Sequence, residues 1–156
     1  MSFDGFLFLL LRKTRLLDRL KKIIDDIVVF GIQEKPNTNK SEVEIIKLLI
    51  DLYSEYLKIE NTIVGSEVNY NDPNFDYKDI QKIVAKNFSN YGWYHSITNS
   101  HILLKNPDVA TGDAIDDLTD IIMDMMEVKW IMENISFEEG VAILVFDALP
   151  FRTAFS

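Results

Sequence analysis

The stretch FLFLLLRKTRLLDRLKKIIDDIVVF, residues 6–30, decides the fold class. Its apolar residues recur every three or four positions, as they do on one face of an α-helix, and most of its basic residues fall on the opposite face. The apolar face consists of Leu9, Leu10, Leu16, Leu17, Leu20, Ile23, Ile24, Ile27 and Val28. This spacing predicts a long amphipathic helix that ends near Gly31, ahead of a connection that contains Pro36.

A second helix is predicted from a capping box, in which the side chains of Ser41 and Glu44 each bond to the backbone N–H of the other residue. It runs to about Ile59. Its predicted buried side consists of Val43, Ile46, Leu49, Ile50 and Tyr53, followed by Tyr56 or Leu57.

Three more segments carry helical signals: residues 78–88, 113–134 and 136–149. The last of them opens with another capping box, formed by Ser136 and Glu139. Part of the aromatic-rich segment 89–112 is a candidate for a sixth helix. The prediction is therefore an all-α, single-domain bundle of five or six helices.

Composition narrows the class of protein. Apolar residues make up 47% of the 156 residues, which is enough for a hydrophobic core. The net charge of -9 disfavours binding to nucleic-acid phosphates and suits a basic protein partner. The absence of cysteine excludes disulfides, thiolate metal sites and cysteine catalysis.

No segment reaches the roughly 20 apolar residues that a membrane span requires. The first residues also lack the basic region and cleavage site of a signal peptide. We therefore expect a soluble, cytoplasmic protein with no membrane partner. Composition leaves self-association into a homo-oligomer open.

The segment GDAIDDLTDIIMDMMEVKW, residues 112–130, contains six carboxylates and no base before its last turn. Steps of four, three, four and three residues place five of them along one face of a helix. That face consists of Asp113, Asp117, Asp120, Asp124 and Glu127, with Asp116 beside it. Like charges at these spacings repel each other by a few tenths of a kcal/mol per pair, roughly. The face is thus a solvated surface, a surface for a basic partner, or a metal site.

A metal site would use Asp113, Asp116, Asp117 and Asp120 to bind Mg²⁺ or Mn²⁺, because both ions prefer oxygen ligands. The two D-x-x-D pairs resemble one half of the metal-binding pattern of the all-α nucleoside triphosphate pyrophosphatases. That resemblance implies an alternative function, an Mg²⁺-dependent hydrolase of nucleotides or other phosphorylated small molecules. The second or third helix would then supply the remaining carboxylate.

The run GDAIDDLTDIIMDM, residues 112–125, resembles the D-D-L-A-D-I-Y-x-D-L helix of an uncharacterised bacterial family, domain-of-unknown-function family number 5063. In that family an aromatic-rich segment precedes the helix, as YGWYHSI does here, and a helix with an F-E start follows, as SFEE does here. The resemblance spans about residues 91–149 and implies an all-helical fold without naming an activity. The family's His-Trp-Gly-x-His run is replaced here by EEGVAILVF, so no histidine site is carried over.

Two aromatic residues, Trp93 and Tyr94, are candidate anchors for a protein partner. His95 and His101 lie six residues apart, off any shared helical face, and are expected to be ordinary polar positions. We therefore predict a binding protein of the adaptor or immunity type, rather than an enzyme, with no cofactor unless Mg²⁺ or Mn²⁺ occupies the acidic helix. The predicted partner-binding residues are Asp113, Asp117, Asp120, Asp124, Trp93 and Tyr94.

Overall fold

A computed structural model of the chain describes residues 3–35, 38–59, 70–71, 73–98 and 108–146, with side chains from residue 14 to residue 145 in these ranges. The helices are α1 (Phe3–Ile32), α2 (Thr38–Ile59), α3 (Tyr77–Asn87), α4 (Ala114–Asn134) and α5 (Phe137–Phe146). The strands are β1 (Trp93–Ile97) and β2 (Val109–Asp113), paired antiparallel. The predicted all-α fold is confirmed, with one small sheet added to it.

Helices α1 and α4 pack side by side at the centre of the fold. Helix α2 packs on α1, α5 packs on α4, and α3 lies against both central helices. The hydrophobic core contains completely buried residues of both central helices: Leu20, Ile24, Ile27, Phe30, Ile122, Met125 and Val128. The helical spacing predicted for α1 is therefore confirmed from Leu16 to Val28, whereas Leu9 and Leu10 lie outside the described side chains.

The C-terminal end of α1 is closed by a side chain from α3. Asn87 is completely buried, and its Nδ2 donates to the carbonyl oxygens of Phe30 and Gln33, at 2.9 Å each. Its Oδ1 accepts a hydrogen bond from the backbone N–H of Lys35 at 2.6 Å. A helix end leaves its last carbonyl groups without partners inside the helix. One amide therefore satisfies the end of α1 and fixes α3 against it.

Helix α2 differs from its prediction both at its start and on its buried side. It begins at Thr38, and Ser41 lies buried within its first turns, so the predicted cap at Ser41 is wrong. The side that faces the core carries Ile45, Leu52, Glu55, Tyr56 and Ile59. Five residues of the predicted buried side face outward instead, with exposures of 41–63%: Val43, Ile46, Ile50, Tyr53 and Leu57. The prediction holds for Leu49, which packs on the core, and for Tyr56, the alternative to Leu57, which is buried.

A buried carboxylate explains part of the wrong prediction for the buried side of α2. Glu55 is only 1% exposed and pairs with Arg19 of α1 at 3.2 Å and with Lys58 at 2.8 Å. Burying a charged group is costly unless it is paired, so hydropathy alone assigns Glu55 to the solvent side. The two cations stabilise it on the inner side of α2.

The described residues of the segment after α3 also depart from prediction, because they form the two strands of a hairpin rather than a sixth helix. Residues 93–97 pair with residues 109–113 in the order Trp93 with Asp113, Tyr94 with Gly112 and His95 with Thr111. The backbone N–H of Ala114 also donates to the carbonyl of Gly92, which ties the base of the hairpin to the start of α4.

The predicted capping box before α5 forms in a modified way. The N–H of Glu139 donates to Oγ of Ser136 at 3.1 Å, and that hydroxyl donates to Oε2 of Glu139 at 2.9 Å. The backbone N–H of Ser136 donates to the carbonyl of Ile131 instead, so it is not free for Glu139. None of the helices within the described ranges is long and apolar enough to cross a membrane.

Candidate protein-binding surface

The acidic face of α4, which we define as Asp113, Asp116, Asp117, Asp120, Asp124 and Glu127, forms one continuous surface. Asp113 is the last residue of β2, and its Oδ1 accepts a hydrogen bond from the N–H of Ile115 at 3.0 Å, which caps α4. Asp116, Asp117 and Asp120 are exposed, whereas Asp124 and Glu127 are partly buried. The spacing predicted from the sequence is therefore confirmed.

Neutral hydrogen-bond donors, rather than bases, face these carboxylates. Asp116 accepts hydrogen bonds at 2.6 Å from both the Tyr77 hydroxyl and the Gln81 amide of α3. Asp117 accepts one from the Tyr94 hydroxyl at 2.5 Å. The Tyr70 hydroxyl likewise donates to Glu127. A hydroxyl bonded to a carboxylate holds it in position without neutralising it.

Three of the four described bases of α1, namely Arg19, Lys21 and Lys22, pair with acids outside the acidic face. Arg19 pairs with the acids of α2, and Lys21 pairs with Asp25 and Glu133. Lys129 of α4 bonds to Asp25 as well, which links α1 to α4. Within the described ranges no ion pair involves the acidic face, so its negative charge is directed toward solvent.

Burial and neighbouring carboxylates raise the pKa values of two aspartates on the acidic face. Partial burial raises the pKa of Asp124 to about 6 from 3.8, and the charges of Glu127 and Asp120 add to the rise. Burial also raises the pKa of Asp120, with further contributions from Asp116 and Asp117. Both residues would be stabilised in their charged forms by a cation brought to the face.

Asp124→Asn should raise the free energy of unfolding by about 1 kcal/mol near pH 7.5 and leave it nearly unchanged near pH 4. The folded pKa of Asp124 lies above its unfolded value, so its contribution to stability is full below about pH 4 and is lost as the pH rises through about 6. Urea unfolding at both pH values measures the effect.

The matched control for this pH prediction is Asp18→Asn, which removes an exposed carboxylate from α1 and should change stability little at either pH. Equal effects of Asp124→Asn at the two pH values would contradict the prediction.

The hairpin adds apolar surface next to the acidic face. Side chains alternate between the two faces of a strand, so Trp93, Ile97 and Val109 share the face opposite Tyr94. All three are exposed, Trp93 at 75%. Since Trp93 pairs with Asp113, a large exposed indole lies at the N-terminal end of the acidic face.

Gly112 allows Tyr94 to reach α4. A Cβ atom at Gly112 would overlap the ring and hydroxyl of Tyr94, which lies across from it in the sheet. The tyrosine ring therefore crosses β2 directly over the glycine, and its hydroxyl bonds to Asp117. The six predicted partner-binding residues lie on the hairpin and on the helix that follows it, joined by this contact.

The four candidate metal ligands do not converge. Asp113 caps α4, while Asp116 and Asp117 accept hydrogen bonds from tyrosines. Where the hydrolase alternative requires a carboxylate from another helix, α3 presents Tyr77 and Gln81. In the part of the chain that the structure describes, no three carboxylate or histidine side chains form a group that could hold a metal ion.

The remaining sequence candidates are the histidines. Nδ1 of His95 lies 3.0 Å from the Thr111 hydroxyl across the sheet, a contact that supports the strand pairing. His101 lies outside the described residues. Sequence reasoning missed Tyr70, Tyr77 and Gln81, although the four-residue spacing of the last two indicates one face of α3.

No protein-family model, curated protein or solved structure matches the chain. The resemblance to family number 5063 therefore stays a prediction.

Proposed function

We propose that this chain is a protein-binding module of the adaptor or immunity type, whose acidic face and hairpin bind a basic protein partner. The observation that carries the proposal is Trp93, which is 75% exposed and paired with Asp113 at the end of a row of carboxylates without cations. Tryptophan is among the side chains that contribute most to binding energy at protein interfaces. Aromatic residues are enriched at the core of protein interfaces, and the polar rim around that core is where the carboxylates would lie.

The acidic face would attract a basic partner and discriminate against acidic ones. Its described carboxylates lack ion-pair partners, so a basic partner would gain contacts that the chain itself does not supply. Complementary charge raises the rate of association and selects against acidic partners. The tyrosine hydroxyls keep Asp116 and Asp117 in position before binding, which lowers the entropy lost on association.

No observation at the acidic face favours the Mg²⁺-dependent hydrolase, because two of its predicted ligands already bond to tyrosines and no facing carboxylate completes the site. That function stays an alternative prediction.

Selection of a random peptide library on the immobilised protein tests the proposal. We expect the selected peptides to be rich in lysine and arginine, and Trp93→Ala to weaken their binding by about tenfold or more. Asp117→Asn/Asp120→Asn should also weaken binding and reduce its dependence on salt concentration. Fluorescence polarisation of labelled selected peptides measures the dissociation constants.

The matched control is Asp18→Asn/Glu138→Gln, which removes two exposed carboxylates from other helices and should leave affinity within about twofold. Selected peptides that lack basic residues, or that bind all variants equally, would refute the proposed surface.

A further inference from the structure

Helix α2 is apolar on two opposite sides. Its inner side packs on α1 through Ile45, Leu52, Tyr56 and Ile59. Its outer side carries Val43, Ile46, Ile50, Tyr53 and Leu57, which we call the α2 seam. Each of the five is more than 40% exposed, and Ile50 reaches 63%. Single exposed apolar residues are ordinary, but a continuous row of them indicates a surface that is covered in an assembly.

The spacing of the α2 seam is that of a two-helix coiled coil. Its residues follow one another at intervals of three, four, three and four, so they occupy alternate a and d positions of a heptad repeat. Val43, Ile50 and Leu57 take the a positions, where the β-branched Val43 and Ile50 are typical of coiled coils, and Ile46 and Tyr53 take the d positions. The row is narrow, and polar residues border it at Lys47 and Ser54.

The charged residues that flank the α2 seam indicate that a second copy of this chain covers it. Glu42 lies on one edge and Lys47 on the other, five residues later, which are the g and e positions of the same heptad frame. In a parallel pair of identical helices, a g residue meets the e residue five positions later on the other helix. Glu42 would therefore meet Lys47 of a second copy, and the same contact would form twice.

An antiparallel pair lacks this complementarity. It would place the e positions of the two copies, which are Lys40, Lys47 and Ser54, along the same edge, where Lys47 meets no carboxylate. The edge charges therefore favour the parallel arrangement.

We propose that two copies of this chain associate through the α2 seam, as a parallel two-helix coiled coil with the two-fold axis along α2. Each chain carries a net charge of -9, so the copies repel at long range. Salt screens such repulsion within about 8 Å at physiological ionic strength. Burial of the seam drives the association, and the two Glu42–Lys47 pairs set its direction.

The first test is the molar mass in solution, measured by light scattering after size exclusion and by sedimentation. The wild-type protein should have about twice its chain mass of 18.1 kDa, and Ile50→Asp should return it to the chain mass. Ile32→Asp is the matched control, since Ile32 is 58% exposed at the end of α1, outside the seam. It should leave the dimer intact, and far-ultraviolet circular dichroism checks that both variants stay folded.

The second test distinguishes the two directions. The chain has no cysteine, so Val43→Cys introduces one unique thiol. In the parallel pair the two thiols face each other and should form a disulfide-linked dimer under mild oxidation. In an antiparallel pair centred on Ile50 they would lie about 21 Å apart along the axis, at 1.5 Å per residue. Ile32→Cys should remain unlinked.

The third test exchanges the edge charges without changing the apolar surface. Glu42→Lys and Lys47→Glu should each weaken the dimer by roughly three- to tenfold, and the double exchange should restore it. A wild-type monomer, a dimer unaffected by Ile50→Asp, or charge variants that are not restored by the double exchange would overturn the proposal. Cross-linking of Val43→Cys/Leu57→Cys without that of Val43→Cys alone would overturn it as well.

Discussion

Asn87→Leu should lower the free energy of unfolding by about 3 kcal/mol, the largest loss that we expect from a single polar side chain in this protein. Asn87 is completely buried and makes three hydrogen bonds to the backbone at the end of α1. Leucine has a similar shape but leaves the carbonyls of Phe30 and Gln33 and the N–H of Lys35 without their partner. A buried polar group that loses its partner costs about 1–3 kcal/mol, and groups that water can reach cost less.

Asn87→Asp distinguishes the loss of hydrogen bonds from the loss of packing. Aspartate keeps the acceptor for the Lys35 N–H but places oxygen against the two carbonyls in place of the donating amide. We expect it to be at least as destabilising as leucine near pH 7, because a buried carboxylate would face two acceptors. Urea unfolding followed by circular dichroism measures both variants.

The control for Asn87 is Asn90→Ala. Asn90 is exposed, and its amide donates to the side chains of Asn39 and Glu42 rather than to the backbone. Its replacement should cost less than about 1 kcal/mol. Similar losses at Asn87 and Asn90 would contradict the role of Asn87 in closing α1.

The sequence predicts the central helices well because each has one apolar side. The three- and four-residue spacing in α1 and α4 marks buried residues from Leu20 to Val28 and from Leu118 to Met132. The same reasoning assigns the wrong side of α2 to the core, since this helix has two apolar sides and the more regular one faces outward. Its inner side contains the buried polar residues Ser41 and Glu55, and Glu55 is stabilised there by Arg19 of α1 and Lys58.

The hairpin could not be predicted because its strands are short and pair across an intervening segment. Trp93 and Asp113 lie twenty positions apart, and the side chains of the outer strand face are exposed, so little hydrophobic alternation marks either strand. The acidic face itself was predictable from spacing alone. The tyrosines that donate hydrogen bonds to this face were not predictable, because Tyr70 and Tyr77 reach α4 only through tertiary packing.

Gly140→Ala should lower the free energy of unfolding by about 2 kcal/mol, although alanine favours a helix more than glycine does. Gly140 is buried in the first turns of α5, where this helix folds back onto α4 after a two-residue connection. A Cβ atom at this position would overlap the side chain of Met132. It would also lie 3.0 Å from both the backbone nitrogen of Met132 and the carbonyl oxygen of Val128.

Two other glycines provide graded controls for Gly140. At Gly31 a Cβ atom would meet methyl groups of Ile122 at 2.6 Å and Ile80 at 3.2 Å, and side chains can rotate away more easily than a backbone can move. At Gly92 it would meet no atom within 4 Å. Urea unfolding should therefore rank the alanine variants with Gly140 as the most destabilised, Gly31 next and Gly92 last.

The ranking tests whether the backbones of α4 and α5 touch. Alanine at Gly140 can be accommodated only if α5 moves away from α4 by a few tenths of an ångström, because backbone atoms of α4 lie close beside the Met132 side chain that its Cβ would overlap. That shift would loosen Val141, Leu144 and Val145, which are buried together in the core. A Gly140→Ala protein as stable as the wild type would mean that α5 lies farther from α4 than this contact requires. A loss at Gly31 that exceeds the loss at Gly140 would instead place the tightest packing between α1, α3 and α4.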